Sequence, residues 1–196
     1  MDDRRHLIHD GIKDCAAVDA ALVFDHLSST LRATFTQYQE ALRSATEEHQ
    51  TRATVLLEAV VYMWRGVARH VDNLGPVRYH ELQSTLVECL NSPNVPPGLA
   101  YTACLTLGRY SDVPASWVPN VIAEELGSGA SEGWQWFHLA LDRLINMLRH
   151  EHQRVRAAAS LALRHVGEGF PGTAPAATRS TNFADSSCAA LFRLTD

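Results

Sequence analysis

The chain has 196 residues, is 46% hydrophobic and carries a formal net charge of −5, enough apolar material for one sizeable core or a short stack of repeats. With 17 basic against 22 acidic residues and no basic block, it offers little for binding nucleic acid through phosphate neutralisation. No apolar run approaches the ~18 residues that a membrane span requires, and the opening MDDRRH is unlike a secretory signal.

In chain order, nearly every segment has helical period. Leu22, Leu27, Leu31 and Phe35 form one expected stripe, Leu56, Val60, Met63 and Val67 a second, and Leu141, Leu144, Ile145 and Leu148 a third. The first helix is expected to run through DDRRHLIHDGIKDCAAVDAAL, with Leu7, Ile8 and Ile12 near its start. No stretch alternates apolar and polar residues as a half-buried strand does, and no NG or DG turn joins β-rich runs. The expected class is all-α.

The helices come in pairs. GPVRYHELQSTLVECLNS leads into NVPPGLAYTACLTLGRYSD, then VPASWVPNVIAEELGS follows, then SEGWQWFHLALDRLINMLRH leads into EHQRVRAAASLALRHVGE. The second helices LLEAVVYMWRGVARHVD, GLAYTACLTLGRYSD and RVRAAASLALRHVGE resemble one another, and such self-similarity at a period of roughly 40 to 55 residues is a mark of helical-hairpin arrays. In such an array each second helix lies between neighbouring hairpins. Ala157, Ala158, Ala159 and Ala162 then allow close approach, while Val155, Leu161, Leu163 and Val166 supply burial.

The pattern LxxLxxxLRHExxRVRAAAxxALRHVG over 141–168 resembles a HEAT repeat. The resemblance implies a right-handed α-solenoid of three to four hairpins over 1–168, with Arg156, Ala159, Leu163 and Gly108 as structural repeat positions. Arg156 would be the HEAT arginine, hydrogen-bonded between adjacent repeats. The tail 169–196, GFPGTAPAATRSTNFADSSCAALFRLTD, is biased to Pro, Gly, Ala, Ser and Thr, and is expected to leave the array as disordered chain.

Residues 4–126 are similar to the middle of a β-karyopherin of the transportin-SR and importin type. A helix with an arginine and a KD pair (Lys13, Asp14) precedes a long helix. Next comes one containing Glu58 and Ala59 and ending in Val71 and Asp72, then one ending in Gly108, Tyr110, Ser111 and Asp112, with a tryptophan delayed to Trp117. The resemblance implies a nuclear transport receptor or a fragment of one, in cytoplasm and nucleus, that binds protein cargo and responds to Ran-GTP. A HEAT scaffold of some unrelated assembly is the alternative. Receptors of that family are several times longer, GSGASEGWQWFHL reads as an insertion, and no segment matches their arginine-rich cargo helix.

Catalytic and metal chemistry find no footing. His80–Glu81 and His150–Glu151 are His-Glu dyads, but neither lies within a second helix after a VR pair, where HEAT-type hydroxylases carry theirs, so solvated helix-end histidines are expected. His138, His150 and His152 are not expected to converge, because residues two apart diverge on a helix. There is no P-loop, nucleophile elbow or dinucleotide fingerprint. The cysteines, Cys15, Cys89, Cys104 and Cys188, lack CxxC pairing and read as buried free thiols. No cofactor, catalytic residue or metal ligand is assigned. Trp134, Trp136 and Phe137, after a Gly/Ser break, are the candidate protein-binding residues, with a role as core anchor as the alternative. The ends of the array are expected to leave apolar surface that promotes self-association.

Overall fold

A computed structural model describes residues 3–44, 46–73, 76–91, 95–110 and 131–169. Among these there are seven α-helices and no strand: α1 (Asp3–Val18), α2 (Ala20–Ser44), α3 (Glu47–Val67), α4 (Pro76–Asn91), α5 (Pro97–Arg109), α6 (Ser131–Met147) and α7 (Gln153–Gly169). A 3-10 turn, Ala68–Asn73, continues α3. The segment VPASWVPNVIAEELGS and the tail from 170 onward lie outside the described residues.

Local chemistry sets the helix boundaries. The helix expected to run from residue 2 to 22 is divided at Asp19, whose carboxylate accepts the Leu22 N–H at 3.0 Å. A side chain that caps the next helix competes with continuation of the first. Prolines open α4 and α5, where a missing N–H costs nothing and the fixed φ suits the first turn. The turn between α6 and α7 is closed by Arg156, whose guanidinium donates to the carbonyls of His150 (2.8 Å) and Glu151 (2.7 Å). The arginine expected to bridge adjacent repeats therefore ties the turn of its own hairpin.

Three hairpins, α2/α3, α4/α5 and α6/α7, lie side by side. Their second helices pack as one layer in the order α3, α5, α7, and their first helices as another in the order α2, α4, α6. The helix α1 packs on α2 and α3 at one end. Its His9 ring lies 5.6 Å from that of Tyr62 and fills the notch at Gly66, where a Cβ would come within 2.9 Å of the imidazole.

The core lies between the layers, and its stripes differ from two of those expected. On α2 it runs through Phe24, Leu27, Leu31 and Tyr38, while Leu22 is exposed. On α3 it runs through Leu57, Val60, Val61, Trp64 and Val67, while Leu56 is exposed. Phe24 stacks on Trp64 with ring centroids 5.7 Å apart. Both misread stripes start on a leucine one or two positions from the true face. A helix turning 100° per residue puts such a residue off the buried arc.

The alanines of α7 are explained at its contact with α5. Val155, Ala158, Ala159 and Ala162 are buried, while Ala157 and Leu161, expected to pack, are exposed. The closest approach is at Gly108 on α5, where a Cβ would fall 2.7 Å from the Cα of Ala162 and 2.9 Å from its Cβ. No rotamer relieves a clash with backbone, so the two helix axes would have to separate. Gly108→Ala is therefore expected to lower stability by about 1–2 kcal/mol, with overpacking outweighing the gain in helix propensity. Gly11→Ala, with nothing within 4 Å, should raise stability by about 0.5–1 kcal/mol. Ala159→Leu should cost about 1–3 kcal/mol. Thermal and urea unfolding of the three variants would check all of these, and equal effects of the two glycine substitutions would contradict the packing.

Candidate protein-recognition face

The side chains that decide this face are held by hydroxyls between α3 and α5. Thr102 donates to the Glu58 carboxylate (3.3 Å), Thr106 to the Val61 carbonyl (3.2 Å) and Tyr110 to the Trp64 carbonyl (2.7 Å). These links join residues 44, 45 and 46 apart in sequence, so the two helices run parallel in one register. Tyr79 of α4 donates to the Tyr110 carbonyl at 3.0 Å, and the Gln83 amide donates to the Tyr79 hydroxyl. Thr106, Tyr110, Tyr79 and Gln83 are all buried, where a satisfied polar network fixes a single arrangement.

Burial on every other side leaves α5 one strip open to solvent. Its exposed residues are Gly98, Tyr101 and Arg109, while Leu105, between the last two at four-residue spacing, is buried. On α3 the neighbouring Val55 and Leu56 are 53% and 45% exposed, and on α7 Leu161 is 36% exposed. The register of about 45 residues places Val55 and Leu56 level with Tyr101, and Arg65 level with Arg109. Each second helix thus exposes at least one large apolar residue.

The residues expected from sequence to be functional fall in different places. Ala159 is fully buried against α5 and Leu163 is half-buried against the core; Gly108 is the close-approach point, and Arg156 closes a turn. None of these four belongs to the exposed strip. Trp134, Trp136 and Phe137 are on α6, but their side chains lie outside the described residues. His150 and His152 are not on a helix at all. They occupy the α6/α7 turn with ring centroids 5.8 Å apart, and the His150 Nδ1 accepts the His152 N–H at 3.1 Å. Among the described residues no three His, Cys, Asp or Glu side chains are grouped to hold a metal ion. The strip through Val55, Tyr101 and Leu161 was missed. Exposure at these positions is not marked in the sequence, because Tyr101 lies in an apolar run and Leu105, one turn on, is buried.

The thiols divide in the same way. Cys15 is exposed, contrary to expectation, and Cys89 and Cys104 are buried; Cys188 lies outside the described residues. Burial pushes both buried thiols up to about 12, the Glu88 carboxylate adding to the effect at Cys89. Burial likewise raises the phenols of Tyr79 and Tyr110 above their ordinary value.

Compared with models of protein families, with curated proteins and with solved structures, the chain matches none. The likeness to HEAT repeats and β-karyopherins therefore rests on the residues quoted above.

Two outcomes follow from this geometry. Tyr79→Phe removes the hydroxyl that links the Gln83 amide to the Tyr110 carbonyl, and leaving such buried groups unpaired should cost about 1–3 kcal/mol. Denaturant unfolding checks it, and no change would mean that the network carries no stability. Stability should also fall as pH rises from about 9 towards 12. The folded chain holds protons on Cys89, Cys104, Tyr79 and Tyr110 that the unfolded chain releases, so their contribution is complete below the unfolded pKa and is lost above it. Urea titrations from pH 7 to 11 would show this, and Cys15 should react with a thiol reagent before Cys89 and Cys104 do.

Proposed function

We propose that the chain is a protein–protein recognition module, built as a right-handed HEAT-type solenoid and acting without catalysis or cofactor. The observation that carries this reading is the exposure of large apolar side chains on each of the second helices, Val55 and Leu56 on α3, Tyr101 on α5 and Leu161 on α7, in a layer ordered by a buried hydrogen-bond network. In stacked helical hairpins the second helices form an extended binding surface, and a rigid scaffold with aromatic anchors is what recognition of another chain needs. The narrower proposal, drawn from the residue resemblance, is a fragment or short relative of a nuclear transport receptor that binds cargo and responds to Ran-GTP. A HEAT scaffold in another assembly would use the same exposed residues.

A photo-crosslinking residue in place of Tyr101 should trap a polypeptide, whereas the same residue in place of the exposed Gln37 on α2 should not. Equal trapping from both positions, or none from 101, would refute recognition by this layer. A pull-down with Ran in its GTP and GDP forms separates the narrower proposal. The repeats that carry most Ran contacts in that family have no counterpart in these residues, so weak or no GTP-dependent binding is expected.

The end of the array bears on self-association. Leu7 is 72% exposed and Val18 is 89% exposed on α1, with Ile8 and Leu22 also open, while Ile12 packs against the core. Such a face favours association. The mass from light scattering is expected to rise with concentration, and Leu7→Gln with Val18→Gln should return it towards that of one chain.

A further inference from the structure

The bend between α1 and α2 is one residue long and little holds it. Asp19 alone separates the two helices. The helical bonding pattern persists on both sides, the Asp19 N–H donating to the Cys15 carbonyl at 3.0 Å and the Val23 N–H to the Asp19 carbonyl at 3.2 Å. The surrounding CAAVDAAL holds four alanines and neither glycine nor proline, so its local preference is for continuous helix. What opposes this is the Asp19 carboxylate, which accepts the Leu22 N–H at 3.0 Å. A continuous helix would offer that N–H the Val18 carbonyl instead. Packing does not lock the bend: Ala17, Val18, Asp19, Ala21 and Leu22 are all exposed, Val18 at 89% and Leu22 at 66%. Ala20 packs against the core.

The contacts that hold α1 are ones that a second copy of the chain can supply. Ala16 is buried, Ile12 packs against the core, and His9 fills the notch at Gly66 beside Tyr62. The notch stays with α3, where Trp64, two residues before Gly66, stacks on Phe24 of α2. If the bend opened, α1 and α2 would form one helix from Asp3 to Ser44, with His9 about 22 Å from Phe24 along its axis. His9 could not then reach the notch of its own chain. We infer that α1 is exchanged between two copies: the bend at Asp19 straightens, and the α1 of each copy docks on α2 and α3 of the other. The surface identifies its occupant, because a face already fitted to α1 takes the same helix from a second copy through the same contacts, and two-fold symmetry closes the pair. Straightening trades the Asp19–Leu22 cap for a main-chain bond, while the docking contacts are all made again. The inference does not depend on the recognition reading above. It also differs from association through the exposed side of α1, which would leave each α1 on its own chain.

The test marks the docking contact covalently. A Cβ at Gly66 would lie 3.5 Å from the His9 Cγ, so cysteines at the two positions are within disulfide reach. The full chain carrying His9→Cys and Gly66→Cys, with Cys15→Ser and Cys188→Ser to remove two other thiols, is refolded from urea at low and at high concentration. It is then oxidised, separated by size exclusion and run on a denaturing gel without reductant. The single-chain fraction should run as a monomer, its disulfide within one chain. The dimer fraction, larger after refolding at high concentration, should run as a covalent dimer. In the otherwise unaltered chain, Asp19→Ala removes the cap and supplies a better helix former, and should raise the dimer-to-monomer ratio about tenfold by light scattering. Ala20→Pro suits the first position of α2 but breaks a continuous helix, and should lower that ratio about tenfold. Circular dichroism should show the helical content of both variants close to that of the parent. A dimer fraction that runs as monomers on the gel would overturn the inference in favour of association through the exposed side of α1. No dimer at either concentration, or equal ratios for Asp19→Ala and Ala20→Pro, would also overturn it. So would failure of the disulfide to close in both fractions, because α1 would then not dock at Gly66.

Discussion

The contact between α3 and α5 is the constraint from which the rest of the arrangement follows. Three hydroxyls of α5 and α4 reach backbone carbonyls, two of them on the neighbouring second helix and one on Tyr110 itself. Side-chain hydroxyls on backbone acceptors are directional where apolar contacts are not, so they select one register out of the several that burial alone would allow. Once α3 and α5 are parallel and in step, the exposed residues of one come level with those of the other.

A second close contact carries this order to the next hairpin. Gly108 lets the backbone of α5 approach Ala162 of α7, and the small faces of both helices hold them together over Val155, Ala158 and Ala159. Packing at that distance gains dispersion contacts along the whole interface but leaves no room for adjustment. The result is a second-helix layer joined by hydroxyls on one side and by small residues on the other. The first-helix layer is joined by ion pairs between exposed residues, each worth less because solvent screens it. A binding surface is better placed on the more rigidly held layer, since a preorganised surface loses less entropy when it binds.

At the α1 end the array changes character. Among the residues of α1 whose burial is described, only Ala16 is buried, and the helix is held by its contacts with α2 and α3, including the fit of His9 into the notch at Gly66. Its other side presents leucine, isoleucine and valine to solvent. Apolar side chains left open in this way are available for association with another surface.

The helical class, the pairing of helices and the small-residue face of the last one were legible in the sequence, because a 3.6-residue period and runs of alanine are local properties of the chain. The break at Asp19 was present too, as a capping residue inside an apolar pattern. The exact buried arc was harder to read. Leu22 and Leu56 are as apolar as Leu27 and Leu57, and only the position of the neighbouring helix decides which of them it covers. The role of Arg156 was misassigned for the same reason: a guanidinium takes whichever carbonyls the turn brings near, and the turn carbonyls of its own hairpin are closest. Most of all, the sequence held Thr106 and Tyr110 without relating them to Val61 and Trp64. Residues 44 or so apart become neighbours only when the hydroxyls of α5 find the carbonyls of α3, and that register is a property of the folded layer.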